Sequence, residues 1–221
     1  MGDLIESTIY PDYDGVVFKY ATDTWANIRN ASSGSLTTII TYMYNSHTSG
    51  RGGNTYNIGR YFLEFNTRTI NKTLSSATLS IYGYSTNALD VILMKSSQSG
   101  SVGIGDFNEI DGAALDLGIS DGAGTGTLVG GNGVFYSNEV TTWSTSGYNE
   151  FTLTKEAKAD IIANDTFNCV MIGFDYDGRD IAPSGATYQT GFRQDSYAGT
   201  SSDPKLVVTE QENSVFFGSN F

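Results

Sequence analysis

The stretch that most constrains the fold is residues 60–84, RYFLEFNTRTINKTLSSATLSIYGY. In its first half Tyr61, Leu63 and Phe65 alternate with Arg60, Phe62, Glu64 and Asn66. In its second half Ala77, Leu79, Ile81 and Gly83 alternate with Thr78, Ser80, Tyr82 and Tyr84. Successive side chains of a strand point to opposite faces, so each half offers one apolar row and one more polar row. Such rows, rich in β-branched and aromatic residues, predict a sheet half covered by a second sheet. The polar connector 67–76 carries Ile70 and Leu74, which plug the end of that core.

The rest of the chain extends the same pattern. Residues 1–15 read as a polar N-terminal arm with Ile5, Ile9, Tyr10 and Tyr13 as anchors. Strands are expected at 16–20 and 36–44, with a turn and short strand at 23–28 and a Gly-rich loop at 47–54. Residues 89–95 are nearly all apolar, as in a strand buried on both faces. A Gly/Ser-rich excursion covers 96–133; Phe107, Ile110, Leu115 and Leu117 pin its first half. Residues 134–136 and 139–143 read as a strand pair, and Phe151 and Leu153 mark another strand. Thr154 then caps a helix at 155–163 that turns Ala157, Ile161 and Ile162 inward and ends at Asn164. A central strand at 167–174 and a last one at 205–209 complete the set. The expected fold is all-β: a jelly-roll-type antiparallel β-sandwich with one short helix and long Gly-rich loops, forming a single domain over 16–210. An aromatic C-terminal tail follows at 211–221.

Charge and cysteine usage narrow the function. Twelve basic residues face 24 acidic ones, a net charge of −12, which repels a phosphate backbone and anionic lipid. No nucleic-acid partner and no membrane insertion are expected, and no apolar run reaches spanning length. Cys169, the one cysteine, lies in an apolar run and reads as a small buried side chain. The N-terminal MGDLIEST lacks the apolar core of an export signal, and Glu6 stands where a myristoylation signal places Ser or Thr. The chain is therefore expected to be made and folded in a cytoplasm, or to have had its export signal cut off.

Catalytic patterns are weak. His47 is the only histidine and sits in a Gly/Ser context without a Gly-x-Ser-x-Gly elbow. The carboxylates at Asp106, Glu109 and Asp111 are local to one loop, whereas a glycosidase needs two that flank the scissile bond. Asp175, Asp177 and Asp180 surround Gly178 at spacings that resemble part of a calcium loop, so they are the candidate metal ligands. Structural calcium is the only cofactor considered, and none is required. Trp25, Trp143, Tyr148, Tyr188 and Tyr197 lie near expected loops and are candidate glycan contacts. Val215, Phe216, Phe217 and Phe221 return the tail to apolar character and are candidate assembly contacts.

Three stretches together resemble a known family: Asp23-Thr24-Trp25; residues 60–65 followed by 76–82; and residues 191–196 followed by 203–209. The ordered set resembles the DNRLRE-type β-sandwich domains, relatives of some carbohydrate-binding modules, over residues 16–210. The resemblance implies a sandwich framework of the kind found in polysaccharide-associated secreted proteins and in phage virion proteins. The excursion at 118–133 and the aromatic tail depart from that pattern. The functional expectation is a non-enzymatic virion surface or structural protein of a phage, in the capsid decoration or in a tail or fibre. Its expected partners are other virion proteins, further copies of itself in a particle, and a host-surface glycan. The alternative is a secreted carbohydrate-binding module of a polysaccharide-degrading system.

Overall fold

A computed structural model describes residues 4–37, 42–111, 133–185, 187–194 and 201–212. The first half of the chain forms β1 (Leu4–Ile9), β2 (Pro11–Thr22), α1 (Trp25–Arg29), β3 (Ser35–Thr37), β4 (Tyr42–Gly50) and β5 (Gly53–Asn66). There follow β6 (Leu74–Asn87), β7 (Val91–Lys95), β8 (Gly147–Thr152), α2 (Lys155–Ala163), β9 (Thr166–Gly173), β10 (Thr187–Phe192) and β11 (Lys205–Gln211). All pairings between these strands are antiparallel.

Two layers make an all-β sandwich. One runs β3-β2-β5-β9-β7 and the other β1-β11-β6-β8, and β4 and β10 join them. The join rests on the length of β5 and β6. The first half of β5 pairs with β4 and its second half with β9; β6 pairs first with β11 and β8, then with β10. The two strands of the organising stretch therefore belong to different layers. Their apolar rows face each other: Tyr61, Leu63 and Phe65 share one core with Ala77, Leu79 and Ile81. Ile70 and Leu74 are buried in the same core, as a plug at its end.

The second face of the β2-β5-β9-β7 layer is also covered. Val17, Phe62, Val170, Ile172, Ile92 and Met94 form an outer core beneath Trp25 and Ile28 of α1. Val102, Phe107 and Ile110 complete this cover from the first part of the Gly/Ser-rich excursion. The row expected to be polar and solvated on β5 is thus buried, with Arg60 and Glu64 included. β7 has the expected double burial, with Val91 and Leu93 on one side and Ile92 and Met94 on the other.

Several local expectations are corrected. Residues 4–15 are not an arm: β1 zips along β11 from Leu4↔Gln211 to Ile9↔Leu206, and β2 begins at Pro11. The short strand expected after Trp25 is α1, because Thr24 caps it by accepting from the Asn27 N–H at 3.2 Å. The loop expected at 47–54 is the tip of the β4–β5 hairpin, closed at Gly50↔Gly53. Residues 134–143 do not pair with each other; Phe135 bridges to Met94 and Val140 to Val91, at the edge of β7. In α2 the Thr154 cap, Ala157 and Ile161 are as expected, but Ile162 faces outward at 38% exposure. Leu115, Leu117, Tyr197 and the tail residues Val215, Phe216, Phe217 and Phe221 lie outside the described residues.

The facing rows make a direct prediction. Leu79 is fully buried between Leu206 of β11 and Phe151 of β8, whereas its neighbour Thr78 points to the outer face. Leu79→Ala is expected to cost about 2–5 kcal/mol through the cavity it leaves. Thr78→Ala is expected to cost far less. Urea titration of the two variants checks the assignment of faces.

Candidate functional site

The acidic stretch expected to hold calcium serves another purpose. Residues Phe174–Gly178 form a π-turn in which the Arg179 N–H donates to the Phe174 carbonyl at 3.1 Å. This turn drives the Asp177 side chain completely out of solvent. There Arg60 of β5 donates to both its oxygens, from Nε at 2.7 Å and from Nη2 at 2.8 Å. The same guanidinium donates from Nη1 to the Phe107 carbonyl at 2.6 Å and from Nη2 to the Arg29 carbonyl at 3.0 Å. Arg29 adds a bond from Nε to the Asp177 carbonyl at 2.9 Å and lies 3.3 Å from the carboxylate.

Burial alone raises the Asp177 pKa, but Arg60 and then Arg29, by charge and by hydrogen bonds, carry it below the usual carboxylate value. Asp180 accepts from the Trp25 indole N–H at 3.0 Å, and Asp175 accepts from the Asp90 backbone N–H at 3.1 Å. Asp180 also lies 3.6 Å from Arg29 Nε, so the three carboxylates are engaged by framework groups and do not converge on one ion. Among the described residues no three His, Cys, Asp or Glu side chains gather as metal ligands.

Nucleophilic chemistry finds no assembled set in the described residues. Ser49 Oγ lies 3.3 Å from His47 Nε2, the spacing of a nucleophile and its base. Yet His47 Nδ1 accepts from the Gly185 N–H at 3.0 Å. The neutral ring then carries its proton on Nε2 and has no lone pair there to take one from Ser49. Cys169 is fully buried, and desolvation holds its thiol protonated. Asp106, Glu109 and Asp111 stay within their own loop, bonded to the Gly103 N–H, to Ser97 and toward Lys95.

The aromatic candidates separate into buried and displayed. Trp143 is 8% exposed and donates its indole N–H to the Gly191 carbonyl. It lies so close over Gly83 that a Cβ there would fall 2.4 Å from Nε1, so it belongs to the core and offers no stacking face. Trp25 is 9% exposed and packs edge-on against Tyr56 in the outer core. Tyr188 packs on Tyr176 against the inner core, with ring centroids 4.4 Å apart. For Trp143 and Trp25 the expectation is corrected by burial; Tyr188 is half-buried and faces the inner core. Tyr148 alone of the described candidates stands on an outer sheet face.

There it joins tyrosines that sequence reasoning did not single out. Tyr148 of β8 is registered opposite Tyr82 of β6, with centroids 5.4 Å apart in a T-shaped pair. Two residues along β6 stands Tyr84, which meets Tyr42 of β4 at 5.2 Å; Tyr42 in turn lies 5.7 Å from Tyr44. The gap between β6 and β4 is bridged above Gly191 of β10, where a Cβ would fall 3.0 Å from the Tyr42 ring and 3.1 Å from Tyr84. Lys205 Nζ sits 4.2 Å from the centre of the Tyr148 ring, and the exposed Arg193 guanidinium 4.9 Å from that of Tyr84. Burial, then the neighbouring phenols Tyr10 and Tyr82 and the carboxylate of Asp203, raise the Tyr148 pKa. Burial and Tyr42 do the same for Tyr44. The signal available in the sequence was the Tyr-x-Tyr spacing at 42–44 and again at 82–84, which places each pair on one strand face.

Compared with known proteins, the chain matches no family model and no curated sequence.

The charge cluster has two consequences of opposite sign. Asp177 has a folded-state pKa below its unfolded value of about 3.9, so its contribution is whole above roughly pH 5 and is lost as the pH falls below roughly 4. Asp177→Asn, which leaves Arg60 and Arg29 buried without their counter-charge, is expected to cost about 3–5 kcal/mol at neutral pH. Asp90 is the reverse case. Burial, Asp175 and Glu139 push its pKa up to about 6 against the opposing pull of Arg179. Stability from this group is therefore lost as the pH rises from about 4 to about 6. Asp90→Asn is expected to raise the thermal midpoint at pH 7 and to leave it nearly unchanged at pH 4. Calorimetric scans of the two variants across pH 3–8 check both directions.

Proposed function

We propose that this chain is a non-enzymatic surface protein of a phage virion, a capsid decoration or a tail or fibre component, that works by contact. The observation that carries the reading is the tyrosine face. There Tyr148, Tyr82, Tyr84 and Tyr42 gather half-buried on one outer sheet face, while Asp177 is locked into the framework. A low-charge surface, with 16% charged residues, supports a role in a crowded assembly. The resemblance to DNRLRE-type domains points the same way. The tyrosine face also favours a second reading, a secreted carbohydrate-binding module, because clustered phenols suit contact with sugars.

Mass spectrometry of purified particles is expected to find the chain in stoichiometric amounts. Removal of residues 215–221 is expected to leave the thermal midpoint of the isolated chain unchanged and to abolish its incorporation. Absence from particles, with recovery of the chain bound to polysaccharide outside cells, would establish the second reading. Polysaccharide cleavage by the purified chain that disappears in Asp175→Asn would sink both.

A further inference from the structure

We propose that the free edge of β1 is a self-pairing interface, through which two copies of this chain join antiparallel into one continuous sheet. The inference goes beyond the contact reading, since it concerns the purified chain and not the particle that holds it. β1 ends the β1-β11-β6-β8 layer and pairs only with β11, from Leu4↔Gln211 to Ile9↔Leu206. Its other edge has no partner among the described residues.

A strand left at an edge is usually blunted by a proline, a lysine, a bulge or a covering loop. Residues 4–10, LIESTIY, contain no proline and no lysine, and the β1–β11 register runs without a bulge. The segment instead displays large apolar side chains: Leu4 is 65% exposed, Ile5 40% and Tyr10 52%.

The direction of its main-chain groups follows from β11. The Gln211 N–H donates to the Thr73 carbonyl, and the Thr209 carbonyl accepts from Ser75 Oγ, both on the β6 side. Odd-numbered residues of β11 therefore aim their main chain at β6, and alternation aims Leu206, Val208 and Glu210 at β1. Their register partners Ile9, Ser7 and Ile5 are satisfied there. Leu4, Glu6 and Thr8 direct their N–H and C=O groups away from β11, into the open edge.

Those outward groups select the strand that fits. Two copies related by a two-fold axis pair antiparallel, each using the same residues. Only an axis through a residue, not between two, sets outward groups against outward groups and keeps each face of the sheet continuous. An axis through Glu6 would place the two Glu6 carboxylates directly opposite each other, which destabilises the pair. An axis through Ser7 separates them and brings all of residues 4–10 into the pair. Glu6 then faces Thr8 of the second copy, Ile5 faces Ile9 and Leu4 faces Tyr10. Apolar side chains meet apolar ones and polar side chains meet polar ones. The segment is its own complement, and this selects a second copy as the occupant.

Sedimentation equilibrium of the full chain tests the proposal. A monomer–dimer equilibrium is expected over roughly 1–100 µM, the range of a small interface. Each copy carries a net charge of −12, so association is expected to tighten as salt is raised. Thr8→Pro removes an outward N–H that the β1–β11 ladder does not use. It is expected to weaken the dimer by about tenfold or more and to leave the thermal midpoint of the monomer unchanged.

Cysteine crosslinking reads the register and stands even where the proline variant unfolds. Ser7→Cys places two thiols on the axis, with α-carbons about 4.5 Å apart, within reach of a disulfide. Oxidised glutathione is expected to convert this variant to a covalent dimer, and the native Cys169 is fully buried. Glu6→Cys sits two positions out of register with its copy, beyond the limit of about 7 Å between α-carbons. It is expected to run as a monomer on a denaturing gel. The proposal is overturned if the chain stays monomeric at about 100 µM, or if Glu6→Cys crosslinks as readily as Ser7→Cys. It is equally overturned if Thr8→Pro folds and leaves the dimer intact. Dimers that appear only after removal of residues 213–221 would give the edge to the chain's own tail and overturn it too. None of these outcomes alters whether the chain is found in virions, so the two readings fail separately.

Discussion

The buried pair of Arg60 and Asp177 is the contact on which the outer half of the molecule depends. A guanidinium taken out of water loses hydration worth several kcal/mol, and only a full set of acceptors restores it. Here the acceptors are both oxygens of one carboxylate and two backbone carbonyls, with the Phe107 ring 4.3 Å from the guanidinium carbon. Each acceptor belongs to a different segment: the π-turn after β9, the end of α1, and the loop after β7. One side chain on the central strand β5 therefore fixes three connections at once. None of those segments is long enough to hold its shape alone, least of all the five-residue α1.

That arrangement gives the β2-β5-β9-β7 layer a covered outer face, which the β1-β11-β6-β8 layer lacks among the described residues. Trp25, Ile28, Phe107 and Ile110 are brought down onto Phe62, Val170 and Ile172, and the charge cluster closes the end of this second core. Among the described residues the opposite layer has no such cover. Its outward row is mostly threonine, serine and tyrosine, with Lys205, Val207 and Glu150 among them. Cross-strand aromatic contacts stabilise such a row by a few tenths to about 1 kcal/mol each. The molecule is thus asymmetric, with apolar burial and buried charge on one side of the sandwich and displayed phenols on the other. This asymmetry gives the contact reading its direction.

Gly191 and the split pairing of β5 and β6 link the framework to the display. Because β6 leaves β11 and β8 and continues beside β10, Tyr84 is carried toward β4, and the glycine between them lets Tyr42 and Tyr84 meet. A shorter β6 would end the row at Tyr82. The length of these two strands, 14 residues each, therefore serves both closure of the sandwich and continuity of its outer face.

Alternation and capping were legible in the sequence because they are local. The rows at 60–65 and 77–83, the apolar run at 89–95 and the Thr154-capped helix follow from period, burial tendency and one side-chain oxygen. Period also stated correctly that Arg60 and Phe62 share a face, but it carries no information about what covers that face. The partner of Arg60 lies 117 residues away, and the spacing of Asp175, Asp177 and Asp180 looked like a cation loop because two arginines already held the central carboxylate. Thr24 was read as part of a turn, although its oxygen caps α1, because a one-turn helix has too few residues to show a period. The tyrosine face was invisible for a related reason. Tyr42, Tyr84, Tyr82 and Tyr148 come from three strands, and only cross-strand register, decided when the layers pair, sets them side by side.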